Sequence, residues 1–221
     1  MILARKVFYD PRFELSATIT GFYTGTLLYY TRQVPLQVLG SAILTTAAVY
    51  WGYSVRQGTV MSLRDFKLTT HKLGVNTLIA IGLAIFGWFY FSLYNYLTRE
   101  HWLRLGYGGN LAGVFAIIAV ASAEEVFFRG YVQNRLGLYC PLWCRVLLAV
   151  AAMALYKNVV HFWEGMPIVL HIELFLVGVL HNVFASLWME WSGSLIGPLA
   201  LHVFWDLLVY APLKTIPPWV I

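Results

Sequence analysis

Two neighbouring carboxylates, Glu124 and Glu125, and a guanidinium, Arg129, stand inside an apolar stretch that runs from Ala121 to Gly130. A charged side chain at the centre of a bilayer costs about 2.5 kcal/mol or more on insertion scales, so two in succession point to a task rather than to packing. On a helix, Glu125 and Arg129 fall at i and i+4, on one face, where they can pair. Glu124 is turned about 100° away from that face. One carboxylate is then held by the arginine, while the other is left to face a cavity. In an apolar, partly dry setting such a carboxylate is a competent general base.

Later in the chain His202 and Asp206 repeat the i, i+4 spacing, so that the carboxylate can orient the imidazole and fix its tautomer. The other groups of this kind within or beside apolar stretches are Lys157, Asn158, His161, His171, Glu173, His181 and Asn182. A carboxylate as base, one imidazole to position a water and a second to stabilise an oxyanion make a set for water-driven acyl transfer. That chemistry is peptide-bond hydrolysis inside the bilayer. The plainer reading is a buried ion-pair network, but a single arginine leaves one of the two glutamates unmatched. Lys157 and His161 also have a plainer reading, as interfacial groups snorkelling towards the surface. His171 and Glu173 follow a loop at the membrane edge and read as structural.

The elements that must position these groups are membrane helices. Of 221 residues, 60% are hydrophobic and only 11% charged, against about 25% charged in soluble domains. The mean hydropathy is +0.69. A chain of this composition cannot cover a globule with polar surface. A span needs about 20 mostly apolar residues. Seven segments qualify, at 15–31, 35–55, 73–97, 110–135, 142–163, 167–189 and 194–212, the first being rich in threonine and the least apolar. The expected class is all-α: a polytopic membrane helix bundle of about seven transmembrane helices, in a single membrane-embedded domain over residues 1–221. No internal repeat and no ten-residue β-barrel alternation is present.

The net charge of +5 is spread along the chain and forms no basic patch, so nucleic acid is not an expected partner. The cations read instead as topology signal. With seven spans, ten of them fall on one side (Arg5, Lys6, Arg12, Arg56, Arg64, Lys67, Lys72, Arg129, Arg135, Arg145) and four on the other (Arg32, Arg99, Arg104, Lys214). The N-terminus is therefore expected on the cytoplasmic side; if the first segment only lies in the interface, the N-terminus changes sides and the other spans do not. Residues 1–14 lack the apolar core and small-residue cleavage site of a signal peptide, so the first segment is expected to be retained. Trp51, Trp88, Trp102, Trp163 and Trp188 sit near span ends and read as interfacial anchors. Cys140 and Cys144 match neither a redox nor a zinc spacing and read as ordinary thiols.

This topology carries a tension. Counted from a turn near residues 138–141, Glu124 stands roughly 20 Å up one helix and His161 roughly 30 Å up the next. The two meet only if the second helix tilts or its start is drawn down into the headgroups.

Glu124-Glu125-x-x-x-Arg129-Gly130, a later membrane histidine, and Ser194-Leu195-x-x-x-Leu199-Ala-Leu-His202-x-x-x-Asp206 together resemble the CPBP family. These are the CAAX-processing and bacteriocin-processing glutamic intramembrane proteases, which include the Ras-converting prenyl-protein endopeptidases. Phe175-Leu-Val-Gly178 is similar to the family's approach to the last motif, and the resemblance covers about residues 110–210. It implies Glu124 as general base, Glu125 and Arg129 as its supports, and His202 with Asp206 at the oxyanion site. The family's second motif, Phe-x-x-x-His, corresponds best to His161, implied to help activate the water. The chain departs from the pattern at two points. Lys157 stands where the phenylalanine belongs, which leaves His181 as a substitute for His161 and places an ammonium able to pair with Glu124 or Glu125. Asp206 stands where the best-known relatives have asparagine; a carboxylate cannot donate to an oxyanion, so it more readily holds a protonated His202 as the donor.

The resemblance thus implies a metal-independent protease without a cofactor, in a membrane expected to be the bacterial inner membrane. Its substrate would be a membrane-associated or lipid-modified protein or peptide, cut near its C-terminus. Zinc held by Glu and His ligands is the rival chemistry, although the chain has no H-E-x-x-H. A non-catalytic protein of the same fold, sequestering a bacteriocin or scaffolding a partner, is the rival from outside enzymology.

Overall fold

The computed structural model describes residues 10–31, 33–56, 66–106, 108–163 and 165–214. Arg5, Lys6, Arg32 and Arg64, counted in the charge asymmetry, lie outside the described residues. Seven helical rods follow one another, and no strand forms among the described residues. They are α1 (Pro11–Tyr29), α2 (Val34–Arg56), α3 (Leu73–Arg99), α4 (from Leu111), α5 (Leu142–Trp163), α6 (Ile168–Ser192) and α7 (from Ile196).

Two of the rods change geometry along their length. α4 is α-helical to Glu125, widens into π-helical turns over Val126–Gln133, and closes with Asn134–Leu136. α7 is α-helical to Trp205, π-helical over Asp206–Tyr210, and ends with Ala211–Lys214. Each widening begins at or directly after a carboxylate of the expected site. Such π-turns are uncommon and concentrate at functional positions.

Six of the rods are long and apolar enough to cross a membrane, and α1 is not one of them. The polytopic helical bundle expected from composition is thus present, with six such spans where seven were expected. α1 has the length but not the apolarity, because it carries Arg12, Glu14 and four threonines. Its Asp10 caps the first turn through a 2.7 Å bond from the Arg12 N–H, with Pro11 opening the helix.

The bundle is apolar outside and keeps its ionic groups inside, among apolar side chains. Leu78, Phe86, Leu97, Leu180 and Trp191 are largely exposed, whereas Glu124, Glu125, Arg129, Gln133, Arg135 and His202 are buried. In hydrocarbon solvent the outward apolar faces meet lipid, and ionic groups must find partners within the protein. Those partners are visible. Glu14 of α1 is bonded by Arg135 and, at 3.1 Å, by the Tyr131 hydroxyl, which ties α1 to the end of α4. Glu190 of α6 takes Lys67 at 2.7 Å, Arg145 at 2.9 Å and Gln133 at 2.8 Å. That one carboxylate joins four parts of the chain. At the opposite end, Arg99 holds Glu173 and, at 2.6 Å, Asn95.

α1 packs along α2, α3 along α7, α5 along α6, and α4 against both α5 and α7. An aromatic cluster around Phe22, Phe127, Phe128, Tyr131 and Tyr156 fills the space between α1, α4 and α5. The close approach of α3 to α7 depends on Gly87, where an added Cβ would lie 2.4 Å from the Trp205 ring. Trp205 immediately precedes Asp206, so this contact sets the depth of the second π-stretch. Gly87→Ala is therefore expected to lower stability by about 1–3 kcal/mol through overpacking. Gly82→Ala on the same helix meets open space. It should leave stability unchanged or raise it by up to about 1 kcal/mol through helix propensity. Thermal unfolding midpoints of the two variants in one detergent check the contrast.

Candidate active site

Four helices supply the site. The last α-helical turn of α4 brings Glu124 and Glu125, α5 brings Lys157, α6 brings His181 and Asn182, and α7 brings His202 and Asp206. Its innermost member is the Glu125–Arg129 pair, with Glu125 0% and Arg129 1% exposed. Arg129 also donates to the side-chain oxygen of Asn182 on α6. Glu125 has a second partner across the bundle: His202 Nδ1 lies 2.7 Å from its Oε1. One carboxylate oxygen thus fastens α4 to α7 while the guanidinium fastens α4 to α6.

His202 is the hub. With Nδ1 on Glu125, its Nε2 faces Glu124 Oε2 at 3.5 Å and Asp206 Oδ2 at 3.6 Å. Each ring nitrogen therefore faces carboxylate oxygen, an arrangement in which both can donate. The His181 ring packs at a tilt against it, with centroids 5.6 Å apart, and against Trp205 at 5.4 Å. Glu124 Oε2 meets Lys157 Nζ at 2.6 Å, so the carboxylate not taken by the arginine is taken by an ammonium.

A cleft opens beside this cluster, bounded by α5, α6 and α7. Lys157, His161, His202 and Asp206 line it, against apolar walls that include Leu174, Val177 and Trp205. Glu124 lies one layer behind, reached past Lys157 and His202.

The sequence-derived residues fall into two groups. Glu124, Glu125, Arg129, Lys157, His202 and Asp206 come together in one connected cluster. His161 lines the same cleft but is engaged elsewhere. Its Nε2 lies 2.8 Å from the Tyr210 hydroxyl, its ring stacks on Tyr210, and its edge meets His171. Lys157, one helical turn earlier, holds the place beside Glu124 that the second-motif histidine was expected to hold. His171 pairs with Asn158 at 2.7 Å near the mouth of the cleft. Asn182 and Tyr210 are partners that residue spacing did not single out. Asn182 showed its buried amide without its partner, and Tyr210 is one of 14 tyrosines. Among the described residues no group of three His, Cys, Asp or Glu converges as metal ligands.

The buried pair yields a stability test. Arg129→Met leaves Glu125 and Asn182 facing each other without the cation, and removal of one member of a buried pair costs about 3–5 kcal/mol. Glu125→Gln in the same chain removes the orphaned charge and should recover part of that loss. Denaturation midpoints of the two single variants and the double variant measure the coupling; additive losses would show that the pair carries none.

Residues 108–208 match the family described as type II CAAX prenyl endopeptidase Rce1-like. No curated protein and no solved structure matches the chain. The matched segment holds every ionisable group of the cluster, from Glu124 to Asp206, and the family is the one that the glutamate and histidine motifs resemble. Over residues 108–208, this integral membrane protein is therefore similar to the type II CAAX prenyl endopeptidase Rce1-like family.

Proposed function

We propose that this protein is a metal-independent glutamic endopeptidase of the membrane interior, which cuts a membrane-associated or lipid-modified protein or peptide near its C-terminus. The observation that supports it best is the position of His202 Nε2, 3.5 Å from Glu124 and 3.6 Å from Asp206 at the wall of a cleft with apolar sides. A base, an orientable donor and a place for an apolar chain then adjoin one another. The matched family, a prenyl endopeptidase family by its description, supports a lipid-modified substrate end.

In this reading Glu124 takes a proton from water as the water oxygen bonds to the scissile carbonyl carbon. The carbonyl electrons move onto oxygen, where the Nε2–H of His202 donates to the oxyanion while Glu125 holds the ring at Nδ1 and the nearby Asp206 carboxylate favours its protonated form. Collapse of the intermediate breaks the carbon–nitrogen bond, and Glu124 returns the proton to the leaving amine. One water is consumed, and a carboxyl end and an amine end are formed. Glu125 and Arg129 act by holding the His202 ring and the α4–α6 contact. Metal independence is supported by the ammonium of Lys157, which already occupies the Glu124 oxygen that a metal would need. An N-terminus in the cytoplasm has the support of the Lys and Arg count only if α1 also crosses; with the six apolar spans alone, Arg5, Lys6 and Arg12 join the side of Arg32 and the excess is lost. The membrane is proposed to be the bacterial inner membrane.

A second reading, a non-catalytic binding protein of the same fold, draws on that same ammonium, which screens Glu124 from the cleft. Glu124→Gln separates the two. Loss of peptide cleavage by about 10²–10⁴-fold is expected for a general base. His202→Ala is expected to lose about 10²–10³-fold, as for an oxyanion donor. Cleavage should persist in the presence of a strong chelator. Activity that Glu124→Gln leaves intact removes the base assignment, and chelator loss reversed by zinc replaces it with a metal site.

A further inference from the structure

We infer that Lys157 is a catalytic residue of this site, holding the attacking water against Glu124 from the cleft side, and that His161 acts through Tyr210 to position it. The inference rests on the protease reading above and names the group that stands in for the expected histidine.

Three observations carry it. Glu124 is set back from the cleft, while Lys157 lines it and touches Glu124 at 2.6 Å. Any water approaching Glu124 from the cleft therefore passes the ammonium. An ammonium carries three N–H donors, and one directed at Glu124 leaves others for a water oxygen. A water accepting from Lys157 on the cleft side can donate to the same Glu124 carboxylate and present its lone pair to a carbonyl held there. The Lys157 side chain is 22% exposed, enough to meet solvent from the cleft.

His161 cannot perform this task where it stands, because its Nε2 is paired with Tyr210. It has an indirect one. The Tyr210 ring lies 5.7 Å from Lys157 Nζ, within cation–π range, and His161 both stacks on that ring and bonds its hydroxyl. The chain of contacts runs from His161 to Tyr210, to Lys157, to Glu124. A flexible four-carbon stem needs such support if its charge is to rest at one point.

The test uses the full chain in proteoliposomes with an internally quenched peptide ending in a farnesylated CAAX sequence. Lys157→Met is expected to lower kcat about 100-fold, with KM changed less than about threefold, as for loss of water positioning. Lys157→Arg and Lys157→His, which restore a donor, should recover at least about a tenth of the wild-type kcat, and His161→Phe should lose no more than about tenfold, since the stacked ring remains. Independently of turnover, a carbodiimide should join Lys157 to Glu124 as a zero-length amide found by mass spectrometry, which tests the contact; if Lys157→Met fails to fold, Lys157→Gln takes its place, with kcat expected at least about tenfold below wild type. The inference is overturned by wild-type kcat in Lys157→Met or by absence of the cross-link, and the indirect role of His161 by a loss well beyond tenfold in His161→Phe. Failure of the parent reading looks different: Glu124→Gln stays active, or the wild-type protein leaves the peptide intact.

Discussion

The structure turns on how a few charges survive in hydrocarbon. Glu125 sits fully buried with Arg129, and neither could remain ionised there alone. Pairing them within one helix solves the local difficulty. The leftover hydrogen-bonding capacity of each then reaches outwards, to His202 on α7 and Asn182 on α6. Helix association in a membrane lacks the solvent-driven force that packs a soluble core, so contacts of this kind hold the rods in register. The interaction that makes the carboxylates tolerable is also what brings three helices to the place where Glu124 can be used.

The same rule recurs at the end of the bundle where α4 turns into α5. Glu190 gathers two cations and an amide, and Glu14 gathers Arg135 and Tyr131. Several cations counted as topology signal in the sequence are engaged side chains. Arg129 and Arg135 are about as buried as the leucines around them. Their positions relative to the membrane surface are set by partners on other helices.

Much of this was legible in the residues. The helical class, the segment limits and the i, i+4 pairing of Glu125 with Arg129 follow from periodicity and composition, because those depend on local spacing. α1 was the weakest of the expected spans for the reason the structure bears out: its polar residues. The partner of Glu124 was written in the sequence less directly. Residue 140, at the tight turn between α4 and α5, is 16 residues from Glu124 and 17 from Lys157, so the two stand at the same height on antiparallel rods. His161 stands one turn higher, which is most of the height mismatch that the motif spacing implied. The resemblance implied the histidine, and the residue that stands against Glu124 is the lysine. Asn182 was legible as a candidate without its partner, and Tyr210 was not legible, since their roles depend on which faces of α6 and α7 turn inwards.

The π-helical widening of α4 gives that segment an unusual relation to its own length. A π-turn holds one residue more than an α-turn, so the stretch from Val126 to Gln133 behaves as an α-helix with an insertion absorbed into it. Deleting a single residue there would let the rod relax to ordinary pitch and swing everything beyond it by about 100°. Arg135 would leave Glu14, and Gln133 would leave Glu190, although no partner had been altered. Side chains along this stretch can be exchanged one at a time, but their number is fixed by the angle between its two ends.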